Sequence, residues 1–404
     1  MHTTSYDYDL AIVGGGIIGL TLACALKDSG LSVALIEAKL DSVAASKGQA
    51  YAVHLQSRRI FEGIGIWDKI LPQIATFRQV RLSDADHPGV VEFHPADLGT
   101  DVLGYVAEHQ ALLLPLQEFL QECPNLRYLC PAEVVKTEYE PGGVEIELRI
   151  GSETRKIRTR LLVAADGARS RIRNGAGINT HGWQYWQSCI VACVKPEKPH
   201  NDTAYERFWP SGPFAVLPLP LNRCRIVWTA PHEEAKALCA LDDEHFLKEL
   251  SRRYGDQMGR LELEGDRFVF PVQLMQSDRY VLPRLALIGD AAHCCHPVGG
   301  QGLNMGIRDA AALAQVLQSA YSRGEDIGDL SILKRYERWR KQENLTILGF
   351  TDLLDRMFSN SWLPAVVVRR LGLLLLRRVP PLKKFALQLM TGLRGRTPEI
   401  SKLG

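Results

Sequence analysis

The chain has 404 residues, 46% of them hydrophobic and 23% charged, with a net charge of +2 at pH 7. That balance is of an ordinary globular protein; it excludes a disordered chain and indicates no nucleic-acid partner. Nine cysteines, an odd number with no CxxC pair, indicate neither a disulfide framework nor a zinc ribbon and fit a reducing cytoplasm. The start, MHTTSYDYD, lacks a basic n-region, so no signal peptide is expected. Residues 10–13 read as a strand, and Gly14-x-Gly16-x-x-Gly19 follows directly. Residues 17–27 carry apolar side chains at helical spacing, Gly30 stops that helix, and residues 31–36 form a second strand ending at Glu37. Gly14 makes the tight turn, Gly16 admits a pyrophosphate, and Gly19 lets helix and strand pack closely. Glu37 stands where an acid accepts hydrogen bonds from an adenosine ribose. The unit predicts a bound dinucleotide.

Residues 80–106 are strand-like, with turns at Pro88-Gly89 and Gly99, and are expected to begin a sheet over the substrate. Residues 144–149 and 156–163 alternate as paired strands around Gly151. Residues 161–165 then read as a buried strand that ends at Asp166-Gly167, with Arg169, Arg171 and Arg173 behind it. Residues 183–274 hold apolar strands, several aromatics and a Pro-rich run at 212–220 without an ionisable side chain. Phe214, Leu217 and Pro218 could wall an apolar pocket, although core packing explains them equally well.

The second informative stretch is 285–309. An apolar run at 285–288 ends at Gly289-Asp290, then come Pro297, Gly299, Gly300, Gln301, Gly302 and Asn304, and residues 305–316 read as a helix. Glycines there let backbone N–H groups approach a ligand. Asp290 would repel a phosphate but suits hydroxyl groups. Two such elements at opposite ends of the chain suggest one cofactor gripped from both sides, and Asp290 fits the ribityl chain of FAD better than a nicotinamide ribose. His293-Cys294-Cys295-His296 suggests no metal, because adjacent ligands do not all point at one ion. The tail, 363–404, holds nine basic residues and Glu399, hence +8, leaving −6 for the remainder. No apolar run there reaches the roughly 20 residues that span a bilayer. The tail reads as a basic amphipathic surface helix or, alternatively, as a cap on the core.

Taken together, these motifs resemble those of class A flavoprotein monooxygenases, specifically the ubiquinone-biosynthesis hydroxylase family. The resemblance rests on the 14–19 fingerprint, Asp166-Gly167-Ala168-Arg169-Ser170, GPFAVLPLP from Gly212, GDAAH from Gly289 and PVGGQGLNMGIRDAAAL from Pro297, in the family's order. It implies an α/β fold: a Rossmann-type FAD-binding domain with an inserted β-sheet substrate domain and a C-terminal helical region. The implied division assigns 1–79, 107–182 and 275–325 to the FAD domain, 80–106 and 183–274 to the substrate domain, and 326–404 to the helical, basic region. It implies FAD contacts from Gly14, Gly16, Gly19, Glu37, Gln110, Asp166, Asp290, Pro297, Gly302, Leu303 and Asn304. Residues 48–67 resemble the family's second helix, near the flavin. Two departures stand out, Gln49 and Gln110, where relatives often carry arginine.

The implied reaction hydroxylates an aromatic ring, a polyprenylated phenol or quinone precursor, by dioxygen through a flavin hydroperoxide. The protein supplies a dry, shaped pocket and no catalytic nucleophile. No second GxGxxG unit is present, so NAD(P)H, as electron donor, would visit transiently; a partner reductase is the other option. The same residues also allow a soluble aromatic hydroxylase with a non-lipid substrate, or a flavin-binding protein without turnover. A lipid-tailed substrate implies a cytoplasmic enzyme able to sit peripherally at the membrane surface.

Overall fold

The structure, a computed structural model, describes residues 5–40, 49–84 and 89–402. Strand β1 (Tyr8–Val13) is buried through its middle because layers cover both faces, which is why its sequence is a plain apolar run. It pairs in parallel with β2 (Val33–Ile36) on one side and β11 (Glu153–Ala164) on the other. Strand β11 in turn pairs in parallel with β18 (Leu285–Leu287). Registers align Ile36, Val13, Ala164 and Leu287 in one row across four strands. Glu37, Gly14, Asp166 and Gly289 therefore emerge side by side from the carboxyl edge, where open α/β sheets place their ligands.

The outer strands of this sheet are β8 (Leu126–Leu129) and β17 (Val281–Leu282), while β9 (Glu133–Glu140) and β10 (Gly143–Ile150) extend β11 as an antiparallel ribbon. Helix α1 (Ile17–Ala25) packs on it, as does α7 (Gln301–Ser322). Helix α7 is longer than the expected 305–316, since its apolar periodicity runs on through Leu317 and Ala320.

A second sheet follows the order β19-β16-β12-β15-β14-β13-β5-β6. Its strands are β5 (Gln79–Asp84), β6 (Val90–Phe93), β12 (Thr180–Pro196), β13 (Thr203–Trp209), β14 (Gly212–Leu219), β15 (Arg223–Pro231), β16 (Leu261–Ser277) and β19 (His293–Cys294). Helices α5 (His232–Ala240) and α6 (Asp243–Tyr254) cover one face. The other face meets residues from the loop after β18, α7 and the C-terminal helices.

Two local expectations change. Residues 104–108 do not extend this sheet: β7 (Gly104–Glu108) lies between β3 (Ala50–Val53) and β4 (Ala75–Phe77) in a separate three-stranded sheet. The stretch expected as one helix opens with β3, and α2 begins only at Leu55 (Leu55–Ile64). Gly48 and Pro88 lie outside the described residues.

The C-terminal region is helical: α8 (Leu330–Phe358), α9 (Leu363–Arg378) and α10 (Pro380–Met390). Among the described residues no helix is long and apolar enough to cross a membrane. The basic residues of this region are not all on the surface. Arg369 is buried, with both carboxylate oxygens of Asp84 at 3.0 Å, and Lys383 pairs with Asp97 at 2.7 Å. Exposed beside Arg377, Arg378 and Lys384 are apolar side chains, Trp362, Leu363, Val367, Val368 and Leu371 among them, each of these five more than half exposed.

Candidate functional site

The turn after β1 shows why its glycines differ. A Cβ on Gly14, at φ +114°, would stand 2.3 Å from the Ala165 carbonyl oxygen, and one on Gly19 would stand 1.9 Å from that of Gly14. Those two positions are closed by the protein itself. A Cβ on Gly16 meets nothing within 4 Å, so that space is open toward a ligand. Gly16 caps α1 without any side-chain partner, leaving first-turn N–H donors and the helix's partial positive charge facing outward. Glu37 is oriented by two backbone donors, Gly15 N at 2.7 Å and Lys39 N at 2.8 Å. A carboxylate has about four acceptor positions, so capacity remains for hydroxyls.

Asp166 accepts from Ile172 N through Oδ2 at 3.3 Å, while its buried Oδ1 has no hydrogen-bond partner among the described residues. An orphaned buried acceptor at this edge is the kind of atom a ligand donor satisfies. Gln110, by contrast, is exposed at the start of α3 (His109–Gln121). Gln49 accepts from Tyr51 through its side chain at 2.7 Å and from His109 N through its backbone at 2.8 Å.

On the opposite side, Gly289, Gly299 and Gly300 all take positive φ, between +59° and +68°, which lets the backbone double back tightly. Asp290 is exposed between Gly289 and the loop. Pro297, Gly302 and Leu303 are half-buried along that loop and the start of α7. Asn304 behaves differently from the sequence expectation. Its Oδ1 accepts from His54 N (2.9 Å) and Ser57 Oγ (2.7 Å), and its Nδ2 donates to Ala52 O (2.8 Å) and Gly300 O (2.7 Å). All its amide capacity is used inside the protein. The side chain staples β3 and α2 to the loop, and only its backbone is left for a ligand.

Sequence reading missed the group that holds the loop. Asp309 on α7 accepts from Gly289 N (3.2 Å), His293 Nε2 (2.6 Å), Arg340 Nε (2.8 Å) and Asn344 Nδ2 (3.0 Å), fully buried. Burial opposes its charge, but His293 and Arg340 outweigh that and hold its carboxyl well below the usual range. The visible signal was its place in the same motif, 20 positions after Gly289, as the acid next to Arg308. His296 accepts from Val298 N at Nδ1, so Nε2 carries the proton and faces Gln187 Oε1 at 3.4 Å and Asp355 Oδ1 at 3.5 Å. Both histidines of the His-Cys-Cys-His run are thus engaged in protein contacts. Among the described residues no group of three or more His, Cys, Asp or Glu could hold a metal ion.

The sheet facing the loop sorts the three pocket candidates. Side chains alternate along β14, so Phe214 and Leu217 point to opposite faces. Phe214 is buried against the rings of Trp228 and Tyr254, beneath α6. Pro218 pairs with Cys224, which belongs to that same outer core. Only Leu217 lies on the loop side, in a cluster with Val298 of the loop and Phe358 of α8. Phe214 and Pro218 therefore pack on the outer face, where Phe214 also borders a cavity of about 140 Å³ with Tyr205, Arg207 and Tyr254.

A family described as an FAD binding domain matches residues 7–349. The chain belongs to that FAD-binding family. It is 52% identical to the Synechocystis sp. protein slr1300, over 98% of this chain and 96% of that one. It is 38% identical to ubiquinone hydroxylase UbiL of Rhodospirillum rubrum, covering 98% and 92% of the two chains. It is 33% identical to 3-demethoxyubiquinol 3-hydroxylase of Escherichia coli, covering 96% and 100%. In fold it resembles p-nitrophenol 4-monooxygenase PnpA of Pseudomonas putida, with a TM-score of 0.82, 18% identity and coverage of 96% and 98%. As a member of this FAD-binding family the protein is an FAD-dependent monooxygenase. The open space at Gly16, the orphaned Asp166 oxygen and the remaining capacity of Glu37 fit FAD.

Proposed function

We propose that this monooxygenase hydroxylates the ring of a polyprenylated phenol or quinone precursor, with NAD(P)H as electron donor and dioxygen as co-substrate. The observation that carries the reading is full-length similarity to two ubiquinone-pathway hydroxylases at 33–38% identity. In this reading Gly14, Gly16, Gly19 and Glu37 hold the adenosine diphosphate half of FAD. Asp166, Asp290 and the backbone of Pro297, Gly302, Leu303 and Asn304 hold the rest, with Gln110 at the rim. Bound and reduced, FAD supplies the activation of dioxygen. The chain's own residues orient it, present an apolar sheet face to the substrate and keep water out. The test is incubation of FAD-loaded protein with NADH or NADPH and a short-chain prenylphenol under isotope-labelled dioxygen. A product carrying one labelled oxygen atom is expected; donor oxidation without such a product overturns the reading.

Asp290→Ala is expected to weaken FAD binding by about 10- to 150-fold, since a hydrogen bond to a charged group contributes about 1.5–3 kcal/mol. Flavin titration of the apoprotein measures this, and an unchanged affinity removes the ribityl role.

A polyprenyl substrate resides in the bilayer, so the reading includes peripheral attachment through α9 and α10 to the membrane from the cytoplasmic side. The exposed apolar row from Trp362 to Leu371 supports it, flanked by exposed Arg377, Arg378 and Lys384. Each basic residue near an anionic surface contributes about 1 kcal/mol, so changing these three to Gln should weaken binding roughly 100-fold at low salt. Changing Val367, Val368 and Leu371 to Ser should release the protein at any salt. Sedimentation with anionic liposomes reads both; pelleting of the Ser variant like the intact chain would make the tail a cap.

A further inference from the structure

Strand β13 carries an acid in an unexpected place. Ala204, Glu206 and Phe208 alternate onto one face, and both apolar members belong to the cluster that includes Val298 of the flavin-side loop. Glu206 pairs with Leu82 of β5 and Ala215 of β14; Ala215 pairs with Val227 of β15, and Val227 with Val191 of β12. Opposed residues in a ladder share a face, so these five side chains form one row across the sheet. Glu206 is its single ionisable member. Val191 and Val227 join Cys295 of the loop and Leu389 of α10 around the neighbouring cluster.

The row is not closed. Glu206, Val191, Val227 and Leu217 are half-buried in mid-sheet; on the other face Ile190, Ala192, Val216, Ile226 and Trp228 are buried, while Tyr205 and Arg207 are half-buried. The Glu206 side chain is half-buried on the face that turns toward the loop. Among the described residues it has no hydrogen-bond or ion-pair partner. A buried carboxylate without one is costly and is not explained by packing.

We propose that Glu206 is the general base of the hydroxylation, accepting the proton of the substrate's phenol hydroxyl. The assignment rests on the reading of the substrate as a phenol. The phenol O–H bond breaks, its electron pair stays on oxygen as phenolate, and the proton is held on a Glu206 carboxylate oxygen. The electron-rich ring carbon then takes up the oxygen atom and loses its own hydrogen as a proton, which leaves with the second oxygen atom in water. Glu206 returns its proton to the product's oxygen.

Desolvation pushes the Glu206 carboxyl up to about 8, nearer to a phenol's roughly 10 than an ordinary carboxylate near 4. A base poised near the working pH is the most effective. The other titratable or charged groups on this side include Asp84, which pairs with Phe208 in the ladder and with Arg369 and Arg370 as an ion pair, Cys189, Cys193, Arg223, Arg225 and Glu264 of the sheet, Glu108 of β7, Cys295 and His296 of the loop, and Asp355 of α8. Arg225 pairs with Glu108. Burial pushes Cys189 and Cys295 up to about 12, raises Cys193 and Asp355, and lowers His296 to about 3. The thiols and the imidazole thus stay neutral around pH 8.

The test uses FAD-loaded, dithionite-reduced protein mixed with oxygen and 2-prenylphenol, so that the natural donor plays no part. Wild-type hydroxylation should fall as pH drops below about 8. Glu206→Gln should keep its flavin and bind the phenol, lose about 10²- to 10⁴-fold in rate at pH 7, and recover as pH nears 10. Glu206→Asp should restore part of the rate. A carboxyl infrared band titrating near pH 8 in the wild type should be absent from Glu206→Gln. A Gln variant as fast as wild type at pH 7, one that never recovers at high pH, or one that loses its flavin overturns the assignment. If wild-type protein hydroxylates no phenol while the infrared band titrates as stated, the substrate reading has failed, and the assignment falls with it.

Discussion

Gly16→Val protein should emerge folded and colourless. The backbone at Gly16 is extended, φ −74° and ψ 177°, which any residue adopts, and an added Cβ touches no protein atom. The cost to the fold is limited to a poorer helix cap, about 1 kcal/mol. The cost to the cofactor is steric exclusion of the pyrophosphate from the end of α1, so occupancy should drop from about one FAD per chain to almost none. The ratio of flavin to protein absorbance, read beside a thermal melt, separates the two effects. Gly19→Val is the contrast: its Cβ would overlap the Gly14 carbonyl, so it should fail to fold. Full flavin content in Gly16→Val would remove the dinucleotide from this turn.

The second large effect is structural. Arg369→Gln removes one half of a bidentate ion pair in which both side chains are almost wholly buried, 2% and 1% exposed. Arg369 also donates to the carbonyls of Phe358 and Asn360, at the link between α8 and α9. Breaking such a pair leaves Asp84 with only the longer contact to Arg370, at 3.4 Å, so the cost should lie near the lower end of about 3–5 kcal/mol. The melting temperature should fall by several degrees, and α9 should become open to proteases. The double change Asp84→Leu with Arg369→Leu should be much milder, because no buried charge remains. Equal losses in single and double variants would mean that packing, not charge, holds α9.

Both glycine-rich turns at the carboxyl edge of the first sheet were legible in the sequence for a common reason. A dinucleotide demands close backbone approach, and glycine and acid spacings record that demand locally, within about thirty residues. The pair Asp84–Arg369 leaves no such trace. Its partners are 285 positions apart, and charge counting gives the tail its +8 without saying which charges are buried. Phe214 and Pro218 were not separable from Leu217 in the sequence because both faces of β14 are covered, so the run is apolar throughout and its alternation is hidden. Glu206 had a local signature, a lone acid between Ala204 and Phe208 in a strand, but its meaning depended on which face turned toward the loop.

The row that brings Ile36, Val13, Ala164 and Leu287 together has a consequence for biosynthesis. Strand β11 needs β18 beside it, and β18 lies more than a hundred residues later in the chain. At roughly 5–20 residues per second, the nascent sheet waits on the order of ten seconds with an apolar parallel edge unpaired. The whole second sheet except β5, β6 and β19 is translated in that interval. Its strands can pair among themselves, but they too await their covering helices. Such an edge is a template for wrong pairing. Chaperone supply during translation, rather than the stability of the finished enzyme, should therefore set its yield in a foreign host.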